Sequence, residues 1–306
     1  NKLFLTTGST PVKMPAILNG DHENVFYVRS LSDINLIRKA FRGHKHLLVI
    51  GGGYIGLEMA AVASRMNLFV TVVEARKRIL QRVASKYTSD FFRALHSGNS
   101  VTIIEGNGVQ KLIAKGKKVK SVLLNDGKNI LCDLVIAGIG ISPNTHLAEQ
   151  AGLFVENGIV VDKYSRTSDP NIFAAGDCSN FPHGEKRLRL ESVGNAIDQG
   201  ENAAINSLDL GTPYEAKPWF WSDQYSTKLQ MSGLHENYDQ VISRENKNKG
   251  LSFWYYQNKK LISVEAINDA GSYMIGKKLI EAGISPEISL ISDAENDPKS
   301  FLQIIK

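Results

Sequence analysis

Leu47-Leu48-Val49-Ile50-Gly51-Gly52-Gly53-Tyr54-Ile55-Gly56 carries an apolar strand core straight into a glycine-rich turn. Helical spacing over residues 57–66 and a second apolar run over 69–74 set this turn between the strand and the helix of a βαβ unit. Each glycine then has a reason: Gly51 permits the tight turn, Gly53 lets backbone approach a pyrophosphate, and Gly56 lets the helix pack on the strand. The first N–H groups of the helix have no acceptor within it, so a turn made of Gly51, Gly53, Tyr54, Ile55 and Gly56 offers them to phosphates. Glu74 closes the second strand, where a carboxylate accepts hydrogen bonds from ribose hydroxyls and repels a 2′-phosphate, which favours NAD over NADP. Arg76 and Arg78 beside it carry the charge that would pair with such a phosphate. Arg82 either reaches the pyrophosphate or adenosine or is a solvated helix-end charge.

Working outward, residues 32–41 have helical spacing with Ser32 or Asp33 as cap, and 85–97 and 101–105 read as a further helix and strand. This βαβαβ order predicts a parallel sheet covered by helices. Residues 111–133 alternate around Asn125-Asp126-Gly127 as antiparallel hairpins, with a charged turn at 115–120, before 134–137 rejoins the sheet. Residues 191–208 read as a helix. From about Pro218, strands at 228–233, 240–244, 251–257 and 260–268 and a helix at 270–282 form a separate α/β lobe. The opening Leu3-Phe4-Leu5 is a short strand running into Thr6-Thr7-Gly8-Ser9, and so abrupt a start predicts that the sequence begins inside a domain.

With 306 residues, 42% hydrophobic and 22% charged, the chain has the composition of a soluble globular protein of two or three domains, and its apolar runs are too short for a membrane span. A cytoplasmic protein is expected. Cys132 and Cys178 are too few for a disulfide framework and lack metal-ligand spacing; His44 and His46 read as a solvated turn, so no metal is expected. The net charge of +5 suits an acidic partner, but no basic run interleaved with aromatics points to nucleic acid.

A second constellation is Thr167-Ser168-Asp169-Pro170-Asn171-Ile172-Phe173-Ala174-Ala175-Gly176-Asp177. A loop enters a short apolar strand that ends in Gly176 and Asp177, where the acid can hold a sugar or ribityl hydroxyl. Thr7-Gly8-Ser9 and Gly138-Ile139-Gly140 look like the two strand-end loops that link nucleotide domains in flavoproteins.

With Leu188-Arg189-Leu190-Glu191-Ser192-Val193 and Pro218-Trp219-Phe220-Trp221-Ser222-Asp223-Gln224-Tyr225, these motifs give a resemblance that spans the chain. It resembles the NADH-dependent ferredoxin reductases of the putidaredoxin and rhodocoxin reductase type. The resemblance implies an α/β fold with two dinucleotide-binding domains, Rossmann-like parallel sheets with a β-hairpin, and a C-terminal α/β lobe. It implies residues 1–25 and 145–217 as flavin domain, 26–144 as NAD domain and 218–306 as the lobe. The family has two dinucleotide fingerprints and this sequence has one, in the second position, so the first βαβ unit of the flavin domain is expected to be missing. Thr6 stands where the family commonly has Ala.

The implied activity is hydride transfer from NADH to FAD, then single electrons to an acidic [2Fe–2S] ferredoxin that feeds an oxygenase. Thr7, Gly8, Gly176 and Asp177 would hold FAD, Val193 would present its N–H near the flavin, and Trp221 would pack beside it. Glu58 and Gly140 would flank the nicotinamide, and Arg189 and Trp219 would lie towards the ferredoxin, although core packing accounts equally well for Trp219. No acid–base side chain is obligatory, because the cofactor carries the chemistry. Two rivals stand beside this reading: a pyridine nucleotide-disulfide reductase, for which no redox cysteine pair is present, and a nucleotide-binding fragment or subunit without electron transfer of its own. Oligomeric state is not legible.

Overall fold

The computed structural model describes residues 1–15, 22–293, 296 and 298–304. The chain divides into two compact units. One comprises Pro11–Ile141 with Ser222–Lys228, and the other Asn1–Thr10, Ser142–Trp221 and Leu229–Lys306.

The first unit is built on a five-stranded parallel sheet, in the order Val25–Phe26, Leu134–Ala137, His46–Ile50, Phe69–Glu74, Val101–Glu105. Its central strands are apolar on both faces because both are covered, as a parallel sheet requires. On one face, Leu48, Ile50, Val73 and Val135 meet Leu112, Val119, Val122 and Leu124 of the antiparallel strands Val109–Lys115, Lys118–Leu124 and Asn129–Leu131. The helices are Leu31–Phe41, Tyr54–Arg65 and Lys86–Gly98.

Two helix starts differ from the reading above. Ser30, not Ser32 or Asp33, caps the first helix, and Asp33 closes a capping box by accepting from the Ser30 N–H at 2.7 Å. The second helix begins at Tyr54, three residues before position 57, with Gly53 as N-cap. Gly56 therefore lies inside it, and a Cβ there would stand 2.1 Å from the Gly51 carbonyl oxygen. Helical periodicity misses this first turn because its residues are chosen for close backbone approach rather than for an apolar stripe.

In the other unit, Leu3–Leu5 pairs in parallel with Ile172–Ala174, and Ile159–Val160, Ser179–His183 and Lys186–Leu188 form a small mixed sheet beside the helix Val193–Asn206. The C-terminal sheet runs Trp219–Gln224, Thr227–Gly233, Lys260–Ile267, Leu251–Gln257, Gln240–Glu245. Trp254, Tyr256, Leu261 and Val264 face Ile275 and Leu279 of the helix Ala270–Glu281, with Ile291 and Phe301 completing this core. The short helices Ile288–Ser292 and Pro298–Ile304 escape sequence reading because neither is long enough to show a period. The strand Trp219–Gln224 escapes it for another reason: it buries Ser222 and Gln224 and turns Trp221 and Asp223 outward, inverting the usual pattern. Among the described residues no helix is long and apolar enough to cross a membrane.

Candidate functional site

The glycine turn is held by backbone contacts that leave no room for side chains. Gly51 has φ +105°, and a Cβ on it would lie 2.3 Å from Gly138 O; on Gly52 it would lie 2.6 Å from the Ile79 side chain. Around Gly53 the space is open for 4 Å, so the cradle faces outward there. Gly53 supplies no side-chain cap to the helix Tyr54–Arg65. Tyr54 Oη donates to Val83 O at 3.2 Å, and Ile55 is exposed.

Glu74 sits at the end of its strand and is tied down twice: Oε2 accepts from the Gly52 N–H and Oε1 from the Arg76 N–H, both at 2.7 Å. The acid thus braces the turn as well as standing beside it. Arg78 is directed away, donating to Ser85 O at 3.1 Å and to Ser89 Oγ at the start of the next helix. Arg82 comes to the turn, its Nη1 3.9 Å from where a Gly140 Cβ would lie. Gly51, Gly53, Gly56, Glu74, Arg82 and Gly140 are therefore gathered at the carboxyl ends of the parallel strands, where open α/β sheets bind ligands.

Glu58 is the fifth residue of its helix, so the helix N-terminus is not what governs it. Burial pushes its carboxyl above the ordinary glutamate range; a hydrogen bond from Ser222 opposes this and the neighbouring Asp223 adds to it. Glu58 lines a cleft of about 340 Å³ with Val28, Ile34, Ile55, Arg65 and Asp223.

In the other unit, Asp177 Oδ2 accepts from Ser9 Oγ at 2.8 Å, and Gly176 has φ +82°. Thr7 Oγ1 donates to Asn144 O at 2.6 Å while Asn144 Nδ2 returns a bond to Thr7 O at 2.8 Å, fixing the loop that contains Gly8. Gln199 holds the Gly176 turn from below, its Oε1 accepting from Gly176 N at 2.9 Å and Ser179 Oγ at 2.6 Å. Its Nε2 is buried with no partner in the protein. Val193 opens the helix Val193–Asn206 and is exposed; Ser192 caps it by accepting from Asn195 N at 3.2 Å. Both sites fit a nucleotide cofactor: each has a glycine turn at a strand end, a helix N-terminus and an acid beside it, and at Gly53 the space is open.

Trp219 and Trp221 stack with ring centroids 5.5 Å apart. Gly194 makes room for Trp219, since a Cβ there would be 2.2 Å from its indole nitrogen, and Lys277 Nζ lies 5.6 Å from the same ring. Trp219 is thus packed on the first turn of the helix that Val193 opens. Arg189 is largely covered: it pairs with Glu191 at 2.8 Å and donates to Asp177 O at 3.3 Å, so it also steadies the Asp177 turn. Ser9, Ser222 and Gln199 were missed as site residues; Ser9 and Ser222 lay in quoted motifs, but nothing local marks a serine as an acid's partner. Cys132 and Cys178 are buried free thiols, and burial pushes that of Cys132 up to about 12. Among the described residues no cluster of His, Cys, Asp and Glu forms a metal site.

Residues 1–200 match the family described as pyridine nucleotide-disulphide oxidoreductase, and residues 219–302 the one described as reductase C-terminal. Putidaredoxin reductase of Pseudomonas putida is 38% identical over 100% of this chain and 74% of its own length. The ferredoxin reductase for the CYP199A2 system of Rhodopseudomonas palustris superposes with a TM-score of 0.94 at 37% identity, covering 98% of this chain and 75% of that one. The covalent putidaredoxin reductase–putidaredoxin complex matches with a TM-score of 0.93 at 38% identity, covering 99% and 75%. The chain belongs to the pyridine nucleotide-disulphide oxidoreductases and, within them, to the ferredoxin reductases.

Proposed function

We propose that this chain passes electrons from NADH through FAD to an acidic [2Fe–2S] ferredoxin that serves an oxygenase. The observation that carries the reading is the presence, in one ferredoxin reductase chain, of two nucleotide cradles: the Gly51–Glu74 turn and the Gly176–Asp177 turn under the helix Val193–Asn206. We assign the parallel-sheet unit to NAD, 1–10 and 145–217 to FAD, and 218–306 to the lobe; the first boundary lies before residue 25 because Val25–Phe26 is a strand of the parallel sheet.

In this reading FAD, when bound, supplies the conversion of a hydride into single electrons. The protein supplies binding and orientation. The glycine turn and the first N–H groups of the helix Tyr54–Arg65 receive the pyrophosphate of NADH, with Tyr54 and Ile55 beside it and Arg82 as its counter-charge. Glu74, fixed by two backbone N–H groups, receives the ribose hydroxyls, and Arg78, spent on Ser85 and Ser89, is not offered to a 2′-phosphate; both favour NADH over NADPH. Glu58 and Gly140 flank the nicotinamide. Thr7, Gly8, Gly176 and Asp177 hold FAD, Val193 brings a positive helix end to the reduced ring, and Trp221 packs beside it. Arg189 and Trp219 lie towards the ferredoxin, although the covered position of Arg189 gives it a share in holding Asp177 as well. A cytoplasmic setting, supported by two unpaired thiols, completes the reading.

The test is NADH-driven reduction of a [2Fe–2S] ferredoxin across a salt series. A chain of net charge +5 meeting an acidic partner should show a rate that falls steeply with ionic strength. A rate indifferent to salt would remove the acidic docking face, and no reduction at saturating ferredoxin would remove the function.

A further inference from the structure

Glu58 does not stand alone in its cleft. Its Oε1 accepts from Ser222 Oγ at 2.6 Å, and Ser222 Oγ accepts from Gln224 Nε2 at 3.1 Å. Gln224 Oε1 lies 2.8 Å from His96 Nε2, and His96 Nδ1 lies 3.3 Å from the Tyr225 hydroxyl. Ser222, Gln224 and His96 are buried. Three members come from the hairpin tip Ser222–Lys228 and one from the helix Lys86–Gly98.

Proton counting gives this chain a direction. An amide oxygen only accepts, so His96 Nε2 carries the proton, Nδ1 accepts, and Tyr225 donates to it. The Gln224 amide nitrogen then donates to Ser222, leaving the serine proton for the carboxylate. With the amide reversed, Ser222 would face two acceptors with a single proton, so an ionised Glu58 selects the first arrangement. A protonated His96 would keep the bond from Nε2–H to Gln224 and turn only the Tyr225 contact round; burial, which holds the imidazole below the usual histidine range, favours the neutral ring.

We propose that Tyr225, His96, Gln224 and Ser222 are positioning residues that hold Glu58 ionised and oriented, and so bias the site towards the oxidised, cationic nicotinamide. The inference rests on the placement of Glu58 beside the nicotinamide. When hydride leaves, it takes an electron pair from the ring and the ring becomes cationic; a fixed carboxylate stabilises that product over the neutral reduced ring. The other charged groups lining the cleft are Asp223, on the hairpin, and Arg65, on the helix of Glu58. Asp223 opposes ionisation of Glu58, tempered by Lys228 Nζ at 3.6 Å from its Oδ1. The hydrogen-bond chain is what counters Asp223 and burial.

The experiment measures dissociation constants of NADH and NAD⁺ for the full chain between pH 5 and pH 9. The ratio of the NADH value to the NAD⁺ value should rise about fivefold or more as Glu58 ionises, the worth of a contact charge pair even at the dielectric of water. In Glu58→Gln the ratio should be flat. In Ser222→Ala the midpoint of the rise should move up by about one pH unit, as expected for loss of one hydrogen bond to a charged acceptor. If Glu58→Gln keeps the wild-type rise, Glu58 is not the nicotinamide's neighbour, and both the placement and this inference fail. If Glu58→Gln is flat but Ser222→Ala keeps the wild-type midpoint, the placement stands and the inference is overturned. Independently of any variant, ¹⁵N spectra of histidine-labelled protein at neutral pH should show His96 carrying its proton on Nε2; a neutral Nδ1–H tautomer overturns the direction of the chain.

Discussion

Replacing Glu74 with Gln separates bracing from charge at the dinucleotide turn. The carboxylate uses one oxygen for the Gly52 N–H and the other for the Arg76 N–H, each at 2.7 Å. Gln preserves the size of the side chain but has one acceptor, so its NH₂ must face one of these N–H groups. A hydrogen bond to a charged acceptor contributes about 1.5–3 kcal/mol, and Glu74 is only half-buried, so water recovers part of the loss. A local destabilisation of about 2 kcal/mol corresponds to about 30-fold faster exchange of the affected amides. Hydrogen exchange followed by mass spectrometry on peptides covering positions 49–56 and 74–80 reads this directly. Affinity for NADH should fall about tenfold or more, with a smaller effect on NADPH, because the ribose acceptor is weakened together with the turn. Exchange within twofold of wild type in both peptides would refute the bracing role, and an unchanged ratio of NADH to NADPH affinity would refute the ribose role.

Gly194→Ala places a methyl group 2.2 Å from the Trp219 indole nitrogen and should cost about 1–3 kcal/mol while displacing the ring, seen as a lower melting temperature and a shifted tryptophan emission. Unchanged values of both would show that Trp219 does not need the glycine. Glu58→Gln should be more stable than wild type at neutral pH: the folded pKa of Glu58 is raised, so its carboxyl favours folding below the unfolded pKa, and that contribution is lost as pH rises through the folded value. The advantage of the variant should therefore vanish below about pH 4 and grow with pH, and urea titrations at several pH values that show no such trend would contradict it.

Most of the parallel sheet in the unit Pro11–Ile141 was legible because its central strands are short, mainly apolar runs and the first of them ends in a glycine turn; the two-residue edge strand Val25–Phe26 was too short to show. Gly51, Gly53, Gly56 and Glu74 could be placed on the same grounds, since their spacing is local. The start of the helix at Tyr54 was not legible, because it depends on close backbone contacts rather than on side-chain period, and the cap at Ser30 was not, because Ser32 and Asp33 offer the same capping chemistry close by. The strand Trp219–Gln224 hid behind an inverted pattern in which serine and glutamine point inward. Those two inward groups and His96 form a hydrogen-bond chain that ends on Glu58, from positions far apart in sequence, and only folding brings them together. In the C-terminal lobe the strands between Lys228 and Asn268 and the helix after them were legible because the strands bury aromatic and branched residues on the face against the helix Ala270–Glu281.

The most direct test of the central claim is an anaerobic titration of the FAD-loaded protein with NADH, followed by visible absorption. The flavin band should bleach stoichiometrically with NADH, and NADPH should do the same only at much higher concentration. A flavin band that stays unchanged while NADH binds would contradict the claim, because the two nucleotide cradles would then serve no common electron path.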